Sequence, residues 1–134
     1  MFEPLDKKMP FEGPEKIDPG MLETFDYEYA GKDAEIEITT DEFTSVCPYS
    51  GLPDFGRLTI VYVPDRKCIE LRSLKYYLLS YRNVGIFYEH LVNRVLDDLV
   101  ACCRPKRMTV SGDFTPRGGI RTRVTAQFPR SQKE

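Results

Sequence analysis

Leu71-Arg72-Ser73-Leu74-Lys75-Tyr76-Tyr77-Leu78-Leu79-Ser80-Tyr81-Arg82-Asn83 is where this chain changes period. Leu71, Leu74, Leu78 and Tyr81 recur at helical spacing, and Gly85 stands where such a helix would stop. Upstream the period is two. Ala34, Ile36 and Ile38 alternate with Glu35, Glu37 and Thr39, the pattern of a half-buried antiparallel strand. Residues 57–63, Arg-Leu-Thr-Ile-Val-Tyr-Val, are rich in β-branched and aromatic side chains and predict a central strand. Downstream, a second helix is predicted from about Phe87 to Cys103. Its stripe is Tyr88, Leu91, Val92, Val95, Leu96, Leu99, Val100 and Cys103, and Pro105 ends it.

Working outward, residues 22–29 and 34–40 read as a hairpin around Ala30-Gly31-Lys32-Asp33. Residues 106–114 and 120–128 read as a last hairpin around Pro116-Arg117-Gly118-Gly119, with Thr122, Val124, Ala126 and Phe128 sharing one face of the final strand. The order is strand, strand, strand, helix, helix, strand, strand. Consecutive hairpins predict an α+β domain, an antiparallel sheet with two helices on one face. Residues 1–20 hold Pro4, Pro10, Pro14 and Pro19 among charged residues and are expected to be a flexible N-terminal arm, leaving residues 21–134 as a single domain.

At 134 residues the chain suits one domain, and 41% apolar with 30% charged residues is ordinary for a soluble globular protein. No apolar run approaches the roughly 18 residues needed to span a bilayer, and Met1-Phe2-Glu3-Pro4-Leu5-Asp6 lacks the basic start of a signal peptide. The expected location is therefore cytoplasmic, without a membrane role. The cysteines at 47, 68, 102 and 103 form no even framework, and Cys68, Cys102 and Cys103 read as small buried apolar residues. With His90 the only histidine and no Cys-x-x-Cys, no zinc site is expected. A net charge of −2 does not point to nucleic acid. The charge is uneven, however. Acidic residues crowd the first 30 positions and arginines the last third, a candidate surface for a phosphate-bearing ligand or a neighbouring subunit. No strand–Gly-x-Gly-x-x-Gly–helix unit and no P-loop occur.

The chemistry-bearing stretch is Thr44-Ser45-Val46-Cys47-Pro48-Tyr49-Ser50-Gly51-Leu52-Pro53-Asp54-Phe55-Gly56. Pro48 restricts Cys47 to an extended backbone, and Gly51 with Pro53 is expected to hold Asp54 in a turn. A reactive thiol needs a positive neighbour, a helix N-terminus or a base. An ionised Asp54 opposes a thiolate, so a joint role suits Asp54 as a proton donor; a loop cysteine without chemistry is the commoner case. Glu70, ahead of the first helix, reads as a cap. Arg72, Lys75 and Arg82 lie on or near that helix's polar side. Glu89 reads either as a first-turn carboxylate or as a ligand anchor, able to accept two parallel N–H bonds from a guanine-like ring. His90, alone, reads as structural.

Together, Thr44-Ser45-Val46-Cys47-Pro48, Pro53-Asp54-Phe55-Gly56, Glu70-Leu71-Arg72-Ser73-Leu74-Lys75-Tyr76-Tyr77, Ser80-Tyr81-Arg82-Asn83 and Phe87-Tyr88-Glu89-His90 resemble the NADPH-dependent nitrile reductases of queuosine biosynthesis, the QueF-type in its short single-module form. Asn93-Arg94-Val95-Leu96-Asp97-Asp98-Leu99 and Phe114-Thr115-Pro116-Arg117-Gly118-Gly119-Ile120 extend the likeness to roughly residues 20–129. The resemblance implies a tunnelling fold assembling side by side into barrels, hence a homo-oligomer with sites between subunits. It implies metal-free reduction of 7-cyano-7-deazaguanine to 7-aminomethyl-7-deazaguanine. By position it makes Cys47 the nucleophile that forms a thioimide, Asp54 the proton donor and Glu89 the grip on the purine-like ring. Ile69, Glu70, Leu71 and Tyr88 match the other substrate-binding segments. Without a Rossmann unit, the 2′-phosphate of NADPH needs cations, and Lys75, Arg82 and Arg117 are the candidates. Two departures stand out: some members carry histidine at Tyr88, and Arg72 replaces a lysine with altered geometry. A competing tunnelling-fold enzyme of the pterin class needs several histidines for zinc. A non-catalytic purine-binding or tRNA-associated module would need Glu89 but neither Cys47 nor Asp54.

Overall fold

The computed structural model describes residues 9–130. Its elements are β1 (Thr24–Asp26), β2 (Ile36–Val46), β3 (Pro53–Val63), β4 (Lys67–Ile69), α1 (Leu71–Leu79), α2 (Tyr88–Cys103), β5 (Arg107–Arg117) and β6 (Ile120–Phe128). An antiparallel sheet runs β2-β3-β5-β6, and β1 pairs with β4 in a smaller second sheet. This is the α+β architecture expected from the periodicities. The central strand is β3: Leu58, Ile60 and Tyr62 alternate inward and are buried.

α2 buries Leu91, Val92, Val95, Leu96, Leu99 and Cys103, nearly the whole stripe legible in the sequence. That stripe covers the sheet face bearing Met108, Val110 and Phe114, completing one contiguous core. Two glycines on that face govern what lies above them. A Cβ at Gly112 would sit 2.7 Å from the Phe114 ring, and one at Gly56 would sit 2.6 Å from it. Only glycine at both positions lets Phe114 lie flat on the sheet, where Tyr88 stacks on it.

Several local expectations are corrected. Residues 22–29 do not hairpin with residues 34–40. β1 pairs instead with β4 in the register Thr24↔Ile69, Phe25↔Cys68 and Asp26↔Lys67. The distant partner offers more than the neighbouring one: Lys67 Nζ lies 2.6 Å from Asp26 Oδ1, and the Tyr27 and Glu70 amides donate to Arg66 O and Glu23 O. The 44–56 stretch is less loop than expected. β2 persists to Val46 and β3 begins at Pro53, so Asp54 belongs to a strand, with proline tolerated as its first residue. α1 ends at Leu79 rather than Asn83. Gly85 is no helix stop; the Phe11 ring occupies the place its Cβ would need. β5 runs on to Arg117, leaving Gly118 and Gly119, with φ of 55° and 79°, as the two-residue turn.

The arm reading changes over residues 9–20, while residues 1–8 lie outside the described residues. Ile17 is buried in the core. Glu12 bridges Val84 in parallel: its amide donates to Asn83 O at 2.8 Å, and Gly85 N donates to Glu12 O at 2.8 Å. Proline content argued against regular structure here, but it does not prevent an extended segment from docking.

Candidate active site

Three separate segments build one corner. β2 ends opposite the start of β3, with Ser45 facing Asp54 and Val46 facing Pro53. The segment after α1 docks onto the same strand end: Val46 N donates to Val84 O at 3.0 Å, and Ile86 N donates to Val46 O at 3.1 Å. This carries the first residue of α2, Tyr88, to Asp54, and Tyr88 Oη donates to Asp54 Oδ1 at 2.8 Å. The Tyr88 ring stacks on Phe114 with centroids 3.9 Å apart and planes 9° from parallel, fixing the phenol's aim. Arg117, from the far end of β5, places a guanidinium nitrogen 2.5 Å from the same oxygen and donates to Pro53 O at 3.0 Å. Asp54 is only 6% exposed, so its buried carboxyl needs these partners. Burial, then the hydrogen bond to Asp54 and its charge, push the Tyr88 phenol up to about 12, which keeps it a neutral donor.

Cys47 lies half-buried in a tight turn. Its amide donates to Leu52 O at 2.9 Å, and Gly51 N donates to Cys47 O at 2.8 Å. Gly51 has φ of 77°, and a Cβ there would collide with the Met9 backbone, so glycine is required twice over. Burial pushes the thiol up, and the charge of Asp54 adds to this. The Ser50 amide and hydroxyl and the Tyr49 amide, turned toward the sulfur, more than offset both, and the thiol sits below its ordinary value. The groups that lower the thiol are the N–H and O–H dipoles of the Tyr49–Ser50 turn rather than a neighbouring cation.

The remaining expected residues are spread further. Glu70 caps α1, its carboxylate accepting from Arg72 N at 2.9 Å and Ser73 N at 2.8 Å. Those bonds hold it below the usual carboxylate range. Ile69 is buried in the core, and Leu71 is exposed. Glu89 is exposed on the first turn of α2, where Asn93 Nδ2 donates to its backbone oxygen at 2.8 Å. His90 is exposed and meets Phe87 edge-on. Among the described residues, no hydrogen bond or ion pair joins residues 69–71 or Glu89 to the Cys47 corner. Lys75 and Arg82 line a separate groove of about 300 Å³ between α1 and β2, beside Phe43, Leu71 and Leu78. Arg117, expected beside them as a phosphate ligand, is engaged with Asp54 instead. Sequence reasoning passed over Ser45 and Phe114. Ser45 is two residues from Cys47, and that nearness in the chain was the one signal available for it.

Sheet, helices and corner together define a tunnelling-fold domain with a polarised thiol beside a buried carboxylate. A family profile described as QueF-like protein matches residues 53–133, and the chain belongs to that family. Among its relatives, the protein from Caldanaerobacter subterraneus subsp. tengcongensis is 55% identical over 120 residues, covering 90% of each chain. That from Chlorobaculum tepidum is 56% identical over 113 residues, 84% of this chain and 97% of its own. Both carry the name NADPH-dependent 7-cyano-7-deazaguanine reductase. The crystal structure of the archaeosine synthase QueF-Like in the apo form shares the fold, with a TM-score of 0.70 at 23% identity, covering 75% of this chain and 99% of that one. Among the described residues, no helix is long and apolar enough to cross a membrane.

Proposed function

We infer that this chain is an NADPH-dependent nitrile reductase, an oxidoreductase converting 7-cyano-7-deazaguanine to 7-aminomethyl-7-deazaguanine in queuosine biosynthesis. The observation carrying this reading is the corner itself, where the Cys47 turn follows the end of β2 and the buried Asp54 carboxylate is held by Tyr88 and Arg117. A non-catalytic purine-binding module has no use for a thiol held below its ordinary value.

A nitrile carbon accepts hydride poorly. Addition of the Cys47 thiolate to that carbon, with a proton passed from Asp54 to the nitrogen, makes a thioimide, a better acceptor. NADPH, when bound, would supply one hydride, and two NADPH molecules bound in succession would take the carbon to the amine oxidation level. Cys47 serves first as nucleophile and then as leaving group, departing as the same thiolate that attacked. Asp54 returns to a carboxylate after each proton it gives and is recharged from solvent. Tyr88 and Phe114 together fix the carboxyl's position. Lys75 and Arg82 fit an anionic phosphate: both are exposed cations on one groove with apolar walls.

We propose that the working unit is a homo-oligomer with sites between subunits, acting in the cytoplasm on a small molecule. Two observations support this. Among the described residues, no hydrogen bond or ion pair joins the side chains of Glu89, residues 69–71, Lys75 or Arg82 to the Cys47 corner within one chain. Around that corner, Tyr49, Leu52, Phe55 and Phe87 are exposed, the kind of apolar rim a second copy covers. Glu89, brought to a neighbour's corner, would accept from the ring N–H and exocyclic amine.

The test is incubation with 7-cyano-7-deazaguanine. Wild type should gain the substrate's mass and a thioimide absorbance band, and Cys47→Ala should show neither, with turnover down at least about 1,000-fold. Absence of both adduct and NADPH consumption in wild type would overturn the reading.

A further inference from the structure

β2 carries Phe43 and Ser45 on one face, because side chains two apart on a strand point the same way, and Cys47 follows directly after the strand's end at Val46. Phe43 is in the core and Cys47 is at the rim; Ser45 lies between them, 1% exposed. Its partner across the β2–β3 ladder is Asp54. Directly opposed residues hold their Cβ atoms about 4.5–5.5 Å apart on a shared face. A hydroxyl so placed reaches a carboxylate by one χ1 rotation. Yet Ser45 Oγ makes no hydrogen bond, and among the described residues it is the one buried side-chain polar atom without a partner. Burying a hydroxyl unpaired costs desolvation with nothing gained in return, and an alanine would fill the site without that cost. Such an atom is expected where its partner arrives in another state of the molecule.

Asp54 supplies that other state. Its two contacts, Tyr88 Oη and the Arg117 guanidinium, both fall on Oδ1. Arg117, with 45% of its side chain exposed, reaches the carboxylate from the solvent side, the side from which a substrate must enter. A substrate taking that place would displace the guanidinium. Tyr88 then still holds Oδ1, and the closed side, where Ser45 lies, is the source of a second donor.

We propose that Ser45 is a positioning residue for the reaction. Its hydroxyl turns to donate to the Asp54 carboxyl during turnover, holding one oxygen from the buried side so that the other faces the nitrile nitrogen. As the Asp54 O–H bond breaks and the N–H bond forms, the growing carboxylate charge gains this donor, so the contact is worth most in the transition state. The inference rests on Asp54 being the proton donor.

The test compares Ser45→Ala, Ser45→Cys, Asp54→Asn and the Ser45→Ala/Asp54→Asn double variant, with kcat, KM, thioimide formation by mass and Tm measured for each. Ser45→Ala should lower kcat about tenfold, with KM unchanged, the thioimide still formed and Tm equal or higher. Ser45→Cys, nearly isosteric and a weak donor, should match it and covers the case in which alanine disturbs packing. In the Asp54→Asn background, Ser45→Ala should cost nothing further. Wild-type kcat in both single Ser45 variants, a lowered Tm with unchanged kcat, or losses that multiply with Asp54→Asn would overturn the role of Ser45 while leaving that of Asp54 intact. Full turnover in Asp54→Asn would instead remove the proton-donor reading, and Ser45 with it.

Discussion

Two buried polar clusters lie in this small domain, and they are built on opposite terms. Between the helices, Tyr77 Oη donates to Asp98 Oδ2 at 2.6 Å and lies 2.8 Å from Tyr81 Oη, and Arg94 Nε donates to the same aspartate at 2.9 Å. Every member has a partner. Burial above all drives the Tyr77 and Tyr81 phenols upward; Tyr81 and Asp98 add to this at Tyr77, while the bond with Tyr77 only partly opposes it at Tyr81, so both stay neutral. At the β2–β3 corner, Asp54 leans on one exposed cation, Cys47 is ringed by dipoles, and Ser45 Oγ has no partner. The first cluster ties α1 to α2 and leaves nothing over for a ligand. The second leaves the sulfur partly open and a buried donor unspent. A saturated network is what stability requires, and an unsaturated one at a strand end is what chemistry requires.

The contrast predicts opposite outcomes for substitutions in the two places. The largest effect is expected between the helices: Asp98→Ala strands Arg94 and leaves the Tyr77 hydroxyl with Tyr81 alone, and should cost about 3 kcal/mol of stability by chemical denaturation. Turnover per folded molecule should be unchanged; a loss of kcat comparable to the loss of stability would join the two clusters into one. Next, Tyr88→Phe keeps the stack on Phe114 but loses the bond to Asp54. We expect kcat to fall about tenfold, with stability altered by no more than about 1 kcal/mol. A large drop in denaturation midpoint with intact kcat would mark Tyr88 as structural.

The smallest effect is a shift along the pH axis. The thiolate of Cys47 forms as pH rises through a thiol value already below the ordinary one, and the Ser50 hydroxyl helps to hold it there. Ser50→Ala should move the rising limb of thioimide formation to higher pH. The rate would fall a few-fold below the limb and match wild type above it. An unmoved limb would leave the backbone amides as the source of the polarisation.

Much of this could be read along the chain, and the exceptions share a cause. The α2 stripe, the central strand and the final hairpin are local patterns, and each appears where its period placed it. The pairing of β1 with β4 crosses some 40 residues, and no local signal weighs a distant ladder against a nearby turn. Residues 9–20 failed for a similar reason: composition disfavours a helix or strand there, but Ile17 and the Glu12 bridge depend on a surface formed elsewhere. Cys47 and Asp54 were visible as residue types, whereas the stack that aims Tyr88 depends on Gly56 and Gly112, far apart in the chain.

The chain's own order of residues determined the α+β class, the two helices and the candidate thiol and carboxyl, because periodicity and residue chemistry act over a few positions. Tertiary structure alone decided that Arg117 meets Asp54 rather than standing free for a phosphate, and that the Tyr49–Ser50 turn rather than a cation polarises Cys47. It alone left Ser45 buried and unpaired beside the carboxylate. Hydrogen bonds and burial are set by which atoms approach within a few ångströms, and that is fixed only when distant segments meet.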